Sequence, residues 1–246
     1  MLDGSGSSTQ RYSAAMMLQN RPVALVVGAT GGIGRAVAVA LGEHYTVCVA
    51  GRNEGALNTL AETLPDAICW RVDLRAGEMP SEKPSILSKL DLLVHCAGSI
   101  ELGSIGDTPI EVWREVFETN LFGVVELTRN LLPALRATRG RVIIVNSTAV
   151  SGSPANRAAY ASSKAALRAF AGALHQEELA NGIRVTSVYP GRVDTKGQRK
   201  VRALEKGPYE PERYLSPSSV AAAIRWVVSA PADAHITEFE VKPTWR

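Results

Sequence analysis

Three residues in the second half of the chain have side chains and spacing that could support proton transfer. Tyr160 and Lys164 are four positions apart, which places them on one face of a helix. A free phenol has a pKa of about 10, and a neighbouring ammonium group lowers it by stabilising the phenolate. Ser147 precedes Tyr160 in the sequence, and its hydroxyl could orient a substrate oxygen. These groups predict a tyrosine that exchanges a proton with an alcohol or a carbonyl.

Asn120 is a fourth candidate, because it lies within a stretch that is otherwise apolar and helical. Asparagine is unfavourable in such a helix unless its amide makes hydrogen bonds. An alternative interpretation treats Ser147 as a cap at a strand end and Asn120 as the site of a helix kink.

A glycine-rich turn, Gly28-Ala-Thr-Gly-Gly-Ile-Gly34, separates the first apolar run from the first helical pattern. The N–H groups of such a turn, at the positive end of a helix, bind the pyrophosphate of a dinucleotide. Glycine-rich turns also occur without a ligand, but this one opens a βαβ unit, which favours a cofactor site. The predicted contacts are Gly28, Thr30, Gly31, Gly32, Ile33 and Gly34.

The next predicted strand ends in Ala50-Gly51-Arg52-Asn53 and has no acidic residue at its tip. An Asp or Glu there would hold both ribose hydroxyls of NAD and repel a 2′-phosphate. Arg52 supplies a planar cation instead. The sequence therefore favours NADP over NAD, and a solvated loop arginine is the alternative.

These candidates have to be positioned by short apolar runs that alternate with helical segments. The predicted strands are 23–27, 45–50, 67–72, 90–96, 141–146, 183–188 and 239–242. The predicted helices are 33–43, 54–63, 109–119, 121–137 and 158–181. Because the strands are continuous apolar runs, both faces must be buried, as in a parallel sheet with helices on each side. We predict one doubly wound α/β domain over residues 21–246, preceded by a flexible tail, residues 1–20.

Composition excludes several other classes of protein. The 27 basic and 24 acidic residues give a net charge of +3, which is too even to indicate a nucleic-acid protein. No run approaches the roughly 18 apolar residues of a membrane-spanning helix. The 3 cysteines lie inside apolar runs, and together with the scattered histidines they predict no disulfide framework and no metal site. We expect buried free thiols and a cytoplasmic location.

In their order and spacing, these motifs resemble the short-chain dehydrogenase/reductase family over residues 23–244. The matching segments are GATGGIG at 28–34, Val72-Asp73-Leu74, the Asn120 helix, Ser147, Tyr160-Ala-Ser-Ser-Lys164 and Tyr189-Pro190-Gly191. The resemblance implies a Rossmann-type sheet of order 3-2-1-4-5-6-7. It also implies hydride transfer between a nicotinamide cofactor and a small alcohol or carbonyl substrate, in a homodimer or homotetramer.

The resemblance also assigns roles to individual residues. Tyr160 would be the general acid/base, and Lys164 would lower its pKa and hold the nicotinamide ribose. Ser147 would position the substrate, and Asn120 would help to anchor a relay water beside Lys164. The further cofactor contacts would be Asp73 and Leu74 on the adenine side, Ala97 and Gly98 after the fourth strand, and Pro190, Gly191, Val193 and Thr195 beside the nicotinamide.

Two departures from the family pattern stand out. Val27 replaces a usual threonine, and His95-Cys96 replaces a pair of asparagines. We expect Val27 and Cys96 to pack together, and His95 to be a core or cofactor-side residue rather than a base. The chain ends in HITEFEVKPTWR without the Asp-Gly-Gly of many members, which resembles the subgroup that acts on small hydroxy acids.

The basic excess is concentrated in residues 192–206, where six basic and two acidic side chains give +4. The resemblance places this stretch in a mobile lid over the substrate, near residues 192–215. It could be a solvated helix face, or a lid that favours an anionic substrate or screens the NADP phosphates. A non-catalytic NADP-binding sensor or scaffold of the same fold is the alternative to an enzyme.

Overall fold

The computed structural model describes residues 21–75, 82–152 and 155–244. Its seven strands form one parallel sheet in the order β3-β2-β1-β4-β5-β6-β7. The strands are β1 (Val23–Val27), β2 (Thr46–Gly51), β3 (Ala67–Arg71), β4 (Leu92–His95), β5 (Arg141–Val145), β6 (Arg184–Pro190) and β7 (Glu238–Val241). The predicted fold class and strand order are confirmed. The predicted tail, residues 1–20, lies outside the described residues.

Helices connect these strands and cover both faces of the sheet. They are α1 (Gly32–Leu41), α2 (Glu54–Ala61), α3 (Ile110–Phe117), α4 (Gly123–Thr138), α5 (Ala149–Gly152), α6 (Ala158–Glu178), α7 (Lys196–Leu204) and α8 (Pro217–Val228). Short 3-10 turns occur at Ser85–Ser88, Leu179–Asn181 and Pro211–Arg213. Over the described ranges, none of these helices combines the length and apolar character needed to cross a membrane.

The core is divided by the sheet into two apolar layers. Residues such as Leu127 of α4 and Leu167 of α6 pack on one face. Leu41 of α1 and Ile224 of α8 are examples from the layer on the other face. The inner strands are buried on both sides, as β1 shows along its whole length. This burial explains their continuous apolar sequences and leaves the ends of the strands as the places where polar groups reach a cleft.

The predicted boundaries agree with the structure to within two residues, except that α6 ends at Glu178 and continues as a 3-10 turn. Helices α5 and α8 were not predicted, and α7 was predicted only as an alternative, a solvated helix face. The start of α8 carries two ordinary signals of a helix: Ser216 accepts a hydrogen bond from the N–H of Ser219, and Pro217 occupies the first helical position. The predicted helices 109–119 and 121–137 meet at Asn120, and the structure joins α3 and α4 there through the π-helical turn Glu118–Phe122.

The close packing of α4 against the loop after β3 gives a testable prediction. A Cβ on Gly123 would lie 2.4 Å from the carbonyl oxygen of Leu74, whereas a Cβ on Gly172 of α6 would meet nothing within 4 Å. We expect Gly123→Ala to lower the free energy of unfolding by about 1–3 kcal/mol through overpacking. The matched control Gly172→Ala should raise it by up to about 1 kcal/mol. Urea unfolding measures both changes, and equal effects would contradict the packing argument.

Candidate active site

The glycine-rich turn connects β1 to α1 and lies against the end of β4. Gly28 has a φ of +79°, and a Cβ there would lie 2.6 Å from the backbone nitrogen of Ala97. Glycine is required at this position for both reasons. Helix α1 begins at Gly32 without a side-chain cap, so the N–H groups of its first turn remain available to an anion.

A cleft of about 420 Å³ lies beside this turn, at the carboxyl ends of β1 to β4. Of the predicted cofactor contacts, its walls include Gly28, Thr30, Gly31, Arg52, Asp73, Leu74, Ala97 and Gly98. The walls do not include Gly32, Ile33, Gly34, Tyr160, Lys164, Pro190, Gly191, Val193 and Thr195. Thr195 is nevertheless next to the turn, because a Cβ on Gly32 would lie 2.6 Å from its Cγ2.

Two arginines line the cleft. Arg52 is exposed directly after β2, where the sequence predicted a cation. Arg75 was not predicted, although it follows the predicted contact Asp73 by two residues. Its Nε and Nη2 donate to the two carboxylate oxygens of Asp73 at 3.1 and 2.9 Å. Hydrogen bonding by Arg75 lowers the pKa of Asp73, and the charge of Arg52 lowers it further.

Lys164 carries the most deeply buried charge of the site. The residue is 3% exposed, and its Nζ donates to the carbonyl oxygen of Val145 at 3.1 Å. Burial lowers the pKa of the ammonium group to about 8. The side-chain amide of Asn146 donates to the backbone oxygen of Lys164 at 3.1 Å, so that α6 is held to the end of β5 from both sides.

Ser147 and Tyr160, which the sequence analysis named as parts of one site, lie within hydrogen-bonding reach of each other. Burial raises the pKa of the Tyr160 phenol, whereas the hydroxyl of Ser147 and the charge of Arg157 lower it. The same hydroxyl accepts a hydrogen bond from the N–H of Ala149 at 3.1 Å, which orients it at the start of α5.

Asn120 lies in the π-helical turn and is fully buried. Its Oδ1 accepts from the N–H of Ser99 at 2.7 Å, and its Nδ2 donates to the carbonyl oxygen of Ser99 at 2.9 Å. The same Nδ2 donates to Oγ of Ser163 at 2.9 Å. The prediction that this amide must be used is therefore confirmed. Asn120 ties the segment after β4 to α6, one residue away from Lys164.

Of the three residues that depart from the family pattern, His95 lies in the core as predicted, whereas the side chains of Val27 and Cys96 do not pack together. Val27 contributes to the apolar layer that contains α4 and α6, whereas Cys96 packs against the opposite layer. The expected packing between the two side chains is wrong, because consecutive positions of a strand point to opposite faces of the sheet. Val27 pairs in register with His95, so His95 shares its face and Cys96 does not.

His95 is a core residue, 2% exposed, and burial lowers its pKa to about 3. Its Nε2 lies 2.9 Å from Oγ1 of Thr128, and that hydroxyl donates to the carbonyl oxygen of Val124. The hydroxyl has a single proton, so Nε2 must be the donor to it. The other ring nitrogen, Nδ1, is then a bare acceptor, and it has no partner among the described residues. A buried imidazole with a pKa of about 3 is a very weak base, which agrees with the interpretation of His95 as a core residue.

Helix α7 occupies the stretch in which the positive charge is concentrated. Thr195 caps it by accepting from the N–H of Gln198 at 3.1 Å. Lys200 pairs with Glu101, a wall residue of the cleft, at 2.8 Å, and Arg199 pairs with Asp194. Four of the six basic side chains in residues 192–206 form ion pairs, so this face is not simply solvated.

The cysteines are free, as predicted, but only Cys48 is buried, whereas Cys69 and Cys96 are partly exposed. Within residues 21–75, 82–152 and 155–244, no cluster of three or more His, Cys, Asp or Glu side chains could hold a metal ion.

Comparison with known proteins gives consistent matches. The short chain dehydrogenase family matches residues 22–206. The NADP-dependent 3-hydroxy acid dehydrogenase YdfG of Salmonella typhi is 30% identical, with 90% of this chain and 94% of that protein covered. A variant of actinorhodin polyketide ketoreductase with NADPH has a TM-score of 0.80 at 29% identity, covering 92% of this chain and 97% of that one. The closed form of serine dehydrogenase complexed with NADP⁺ has a TM-score of 0.80 at 28% identity, covering 90% and 94%.

The buried, neutral state of His95 predicts a particular pH dependence of stability. Histidine in the unfolded chain titrates near 6.5, whereas folded His95 titrates near 3, so the unfolded state binds the extra proton as the pH falls from 6.5 towards 3. Between pH 7 and pH 5 this lowers the free energy of unfolding by about 2 kcal/mol. We expect that loss to be about 2 kcal/mol smaller in His95→Asn, measured by urea unfolding at both pH values.

His44→Asn is the matched control, since His44 is exposed. It should keep the wild-type loss of stability between pH 7 and pH 5. If His95→Asn showed that same loss, burial of a neutral His95 would not be its cause.

Proposed function

This chain belongs to the short chain dehydrogenase family, and from that premise we propose that it transfers hydride between NADP(H) and a small alcohol or carbonyl substrate. The family membership makes it an oxidoreductase of CH–OH and C=O groups. The observation that carries the proposal is the convergence of Ser147, Tyr160 and Lys164 beside the end of β5.

The residues of the cleft fit a dinucleotide with a 2′-phosphate. The turn at Gly28 packs directly against the backbone of Ala97 in the cleft wall, and the uncapped start of α1 suits a pyrophosphate. Arg52 and Arg75 bring positive charge to the same cleft. The YdfG relative is named as NADP-dependent, and both structural neighbours contain NADP(H). Bound there, NADPH would supply the hydride for reduction.

We propose the following roles for these residues in the reduction of a carbonyl group. Ser147 holds the carbonyl oxygen, and Tyr160 gives its phenolic proton to that oxygen as the carbon accepts the hydride. The products are an alcohol and a phenolate, which regains a proton from solvent. Lys164 places a positive charge next to the reacting groups, and Asn120 fixes the segment that faces Lys164. Oxidation of the alcohol follows the same steps in reverse.

A small hydroxy acid is the substrate class that we propose. Of the similar proteins, one is named for 3-hydroxy acids, and serine, for which another is named, also has its hydroxyl on the third carbon. The chain end, which lacks the Asp-Gly-Gly of many members, supports the same class.

The domain and assembly predictions remain proposals. We propose that residues 21–246 act as one catalytic domain, with a lid near residues 192–215 that is anchored to the cleft through Lys200 and Glu101. We also propose a homodimer or homotetramer. Phe122 and Leu179, which are 54% and 57% exposed near α4 and α6, are apolar surfaces that a second copy could cover.

The assignment of Tyr160 as proton donor is tested by Tyr160→Phe. We expect this change to lower kcat by about 10²–10⁴-fold, because the ring packs as before and only the proton is lost. The loss of NADPH absorbance with a panel of carbonyl substrates measures the rate. Tyr45→Phe, which removes a phenolic hydroxyl outside the site, is the control and should keep the wild-type rate. Full activity of Tyr160→Phe would contradict the assignment. A wild-type protein that binds NADPH but never oxidises it with any carbonyl would instead support the sensor or scaffold.

The choice of cofactor is tested by Arg52→Asp. Loss of a charge-assisted hydrogen bond and addition of a repelling carboxylate should raise the Kd of NADPH by about 10–100-fold. The Kd of NADH should stay the same or fall, because the new carboxylate can accept from the ribose hydroxyls. Cofactor fluorescence measures both constants. Arg114→Asp changes an exposed side chain of α3 and should alter neither dissociation constant. If Arg52→Asp kept the wild-type preference for NADPH over NADH, Arg52 would be excluded as the residue that determines it.

A further inference from the structure

Three arginines from separate segments surround the carboxylate of Glu205, at the end of α7. Arg192, after β6, donates from both Nη atoms at 3.0 Å each, and Arg202 of α7 donates from Nη1 at 2.6 Å. Arg157, which directly precedes α6, donates from Nη2. We call these three arginines and Glu205 the arginine cluster.

The arginine cluster carries more positive charge than Glu205 neutralises. Three guanidinium groups and one carboxylate leave a net charge of +2. The neighbouring carboxylates Asp194 and Glu210 already pair with arginines of their own, Arg199 and Arg213. Burial alone would raise the pKa of Glu205, but the arginines lower it to about 2, so the count holds at neutral pH. A charge that is removed from water is stabilised by a neighbouring opposite charge. In the arginine cluster, two of the three positive charges have no carboxylate among the described residues to neutralise them.

Arg157 is the member of the cluster with donors to spare. The two oxygens of Glu205 accept four N–H groups in all, which fills their acceptor positions. A guanidinium group has five N–H donors. Among the described residues, that of Arg157 makes one hydrogen bond, to Glu205. Its side chain is only 14% exposed, so bulk water does not solvate it freely. Glu205 would remain held by Arg192 and Arg202 if Arg157 bound a second anion.

Arg157 also lies at the start of the helix that carries Tyr160. It occupies the N-cap position of α6, three residues before Tyr160. Its positive charge lowers the pKa of the Tyr160 phenol. The backbone of this segment is fixed as well, because the carbonyl oxygen of Asn156 accepts a hydrogen bond from the N–H of Gly103 at 2.9 Å. Arg157 is therefore held by Glu205 at the beginning of the helix that supplies the proton donor.

We infer that Arg157 binds the carboxylate of a short oxo acid or hydroxy acid while Tyr160 meets the oxygen that is reduced or oxidised. The inference rests on the proposed function, and it names the residue that would select acids from neutral carbonyls. The carboxylate and the reacting carbon must be close, because Arg157 and Tyr160 are one helical turn apart, which suits a 3-oxo acid. The planar guanidinium can grip a carboxylate with two parallel hydrogen bonds.

The arginine cluster is separate from the arginines of the cleft. Arg52 and Arg75 line the cleft that the dinucleotide fits, and none of the three clustered arginines belongs to its walls. Two separate groups of arginines therefore lie near the proposed site, Arg52 and Arg75 beside the cleft and the arginine cluster at the start of α6.

The experiment compares acetoacetate with methyl acetoacetate, which differ in the carboxylate charge but have the same reacting ketone. In Arg157→Gln, kcat/KM for the acid divided by that for the ester should fall at least tenfold, mainly through KM of the acid. Arg157→Lys should recover part of this ratio. Arg168→Gln removes an arginine of the same helix that pairs with a single carboxylate, Glu238, and it should keep the wild-type ratio.

Glu205→Gln provides a change of opposite sign. It raises the charge of the cluster from +2 to +3, so KM for the acid should fall severalfold relative to KM for the ester. A purely structural role of the cluster would instead make both the arginine and the glutamate variants lose activity on acid and ester alike. NADPH affinity, measured by fluorescence, should change little in all of these variants.

Three results would overturn the inference: an acid-to-ester ratio that is unchanged in Arg157→Gln, a rise in acid KM in Glu205→Gln, or a loss of NADPH affinity that explains the kinetic change. A wild-type enzyme that reduces the ester but not the acid would overturn it too, while leaving the proposed function intact. A wild-type protein that oxidises NADPH with no carbonyl compound at all would refute the proposed function itself.

Discussion

The ammonium group of Lys164 is removed from water, and much of the site is arranged around that charge. It donates to the carbonyl oxygen of Val145, which fixes it to the end of β5. Its charge helps to keep His95 neutral and acts against the high pKa that burial gives the Cys96 thiol. A buried charge needs polar neighbours in set positions, and the end of β5 provides one, because the carbonyl oxygen of Val145 accepts a hydrogen bond from Lys164.

The parallel sheet brings the carboxyl ends of its strands to one edge. Although buried polar side chains such as His95, Thr186 and Ser187 also occur within strands, the cleft is lined largely by segments that follow the strands. Arg52, Asp73, Gly98 and Ser147 each follow a different strand, and the sheet order brings the first three together around one cleft. The π-helical turn then adds Asn120, which reaches Ser99 and Ser163 at once. An ordinary α-helical turn would place the amide at a different angle.

The sequence predicts well whatever is local or repeated along the chain, and less well whatever depends on distant segments meeting. The positions of the strands follow from the apolar runs and their order from the family resemblance, and the order is confirmed. The predicted packing of Val27 with Cys96 was wrong, because it depended on which face each side chain takes. Arg75 was missed since its role comes from Asp73, and the arginine cluster was missed since its members are up to 48 residues apart.

The net charge shows the same limit in its clearest form. A sum of +4 over residues 192–206 suggests one basic surface, but ion pairs with Asp194, Glu205 and Glu101 divide it into parts. The positive charge that no carboxylate of the described ranges neutralises lies in the arginine cluster, at the start of the helix that carries Tyr160. Part of it belongs to Arg157, which is outside residues 192–206. A sum over sequence cannot reveal this, because opposite charges cancel in the count whether or not they touch. What attracts an anion is the local imbalance that remains after pairing, and only the folded arrangement defines it.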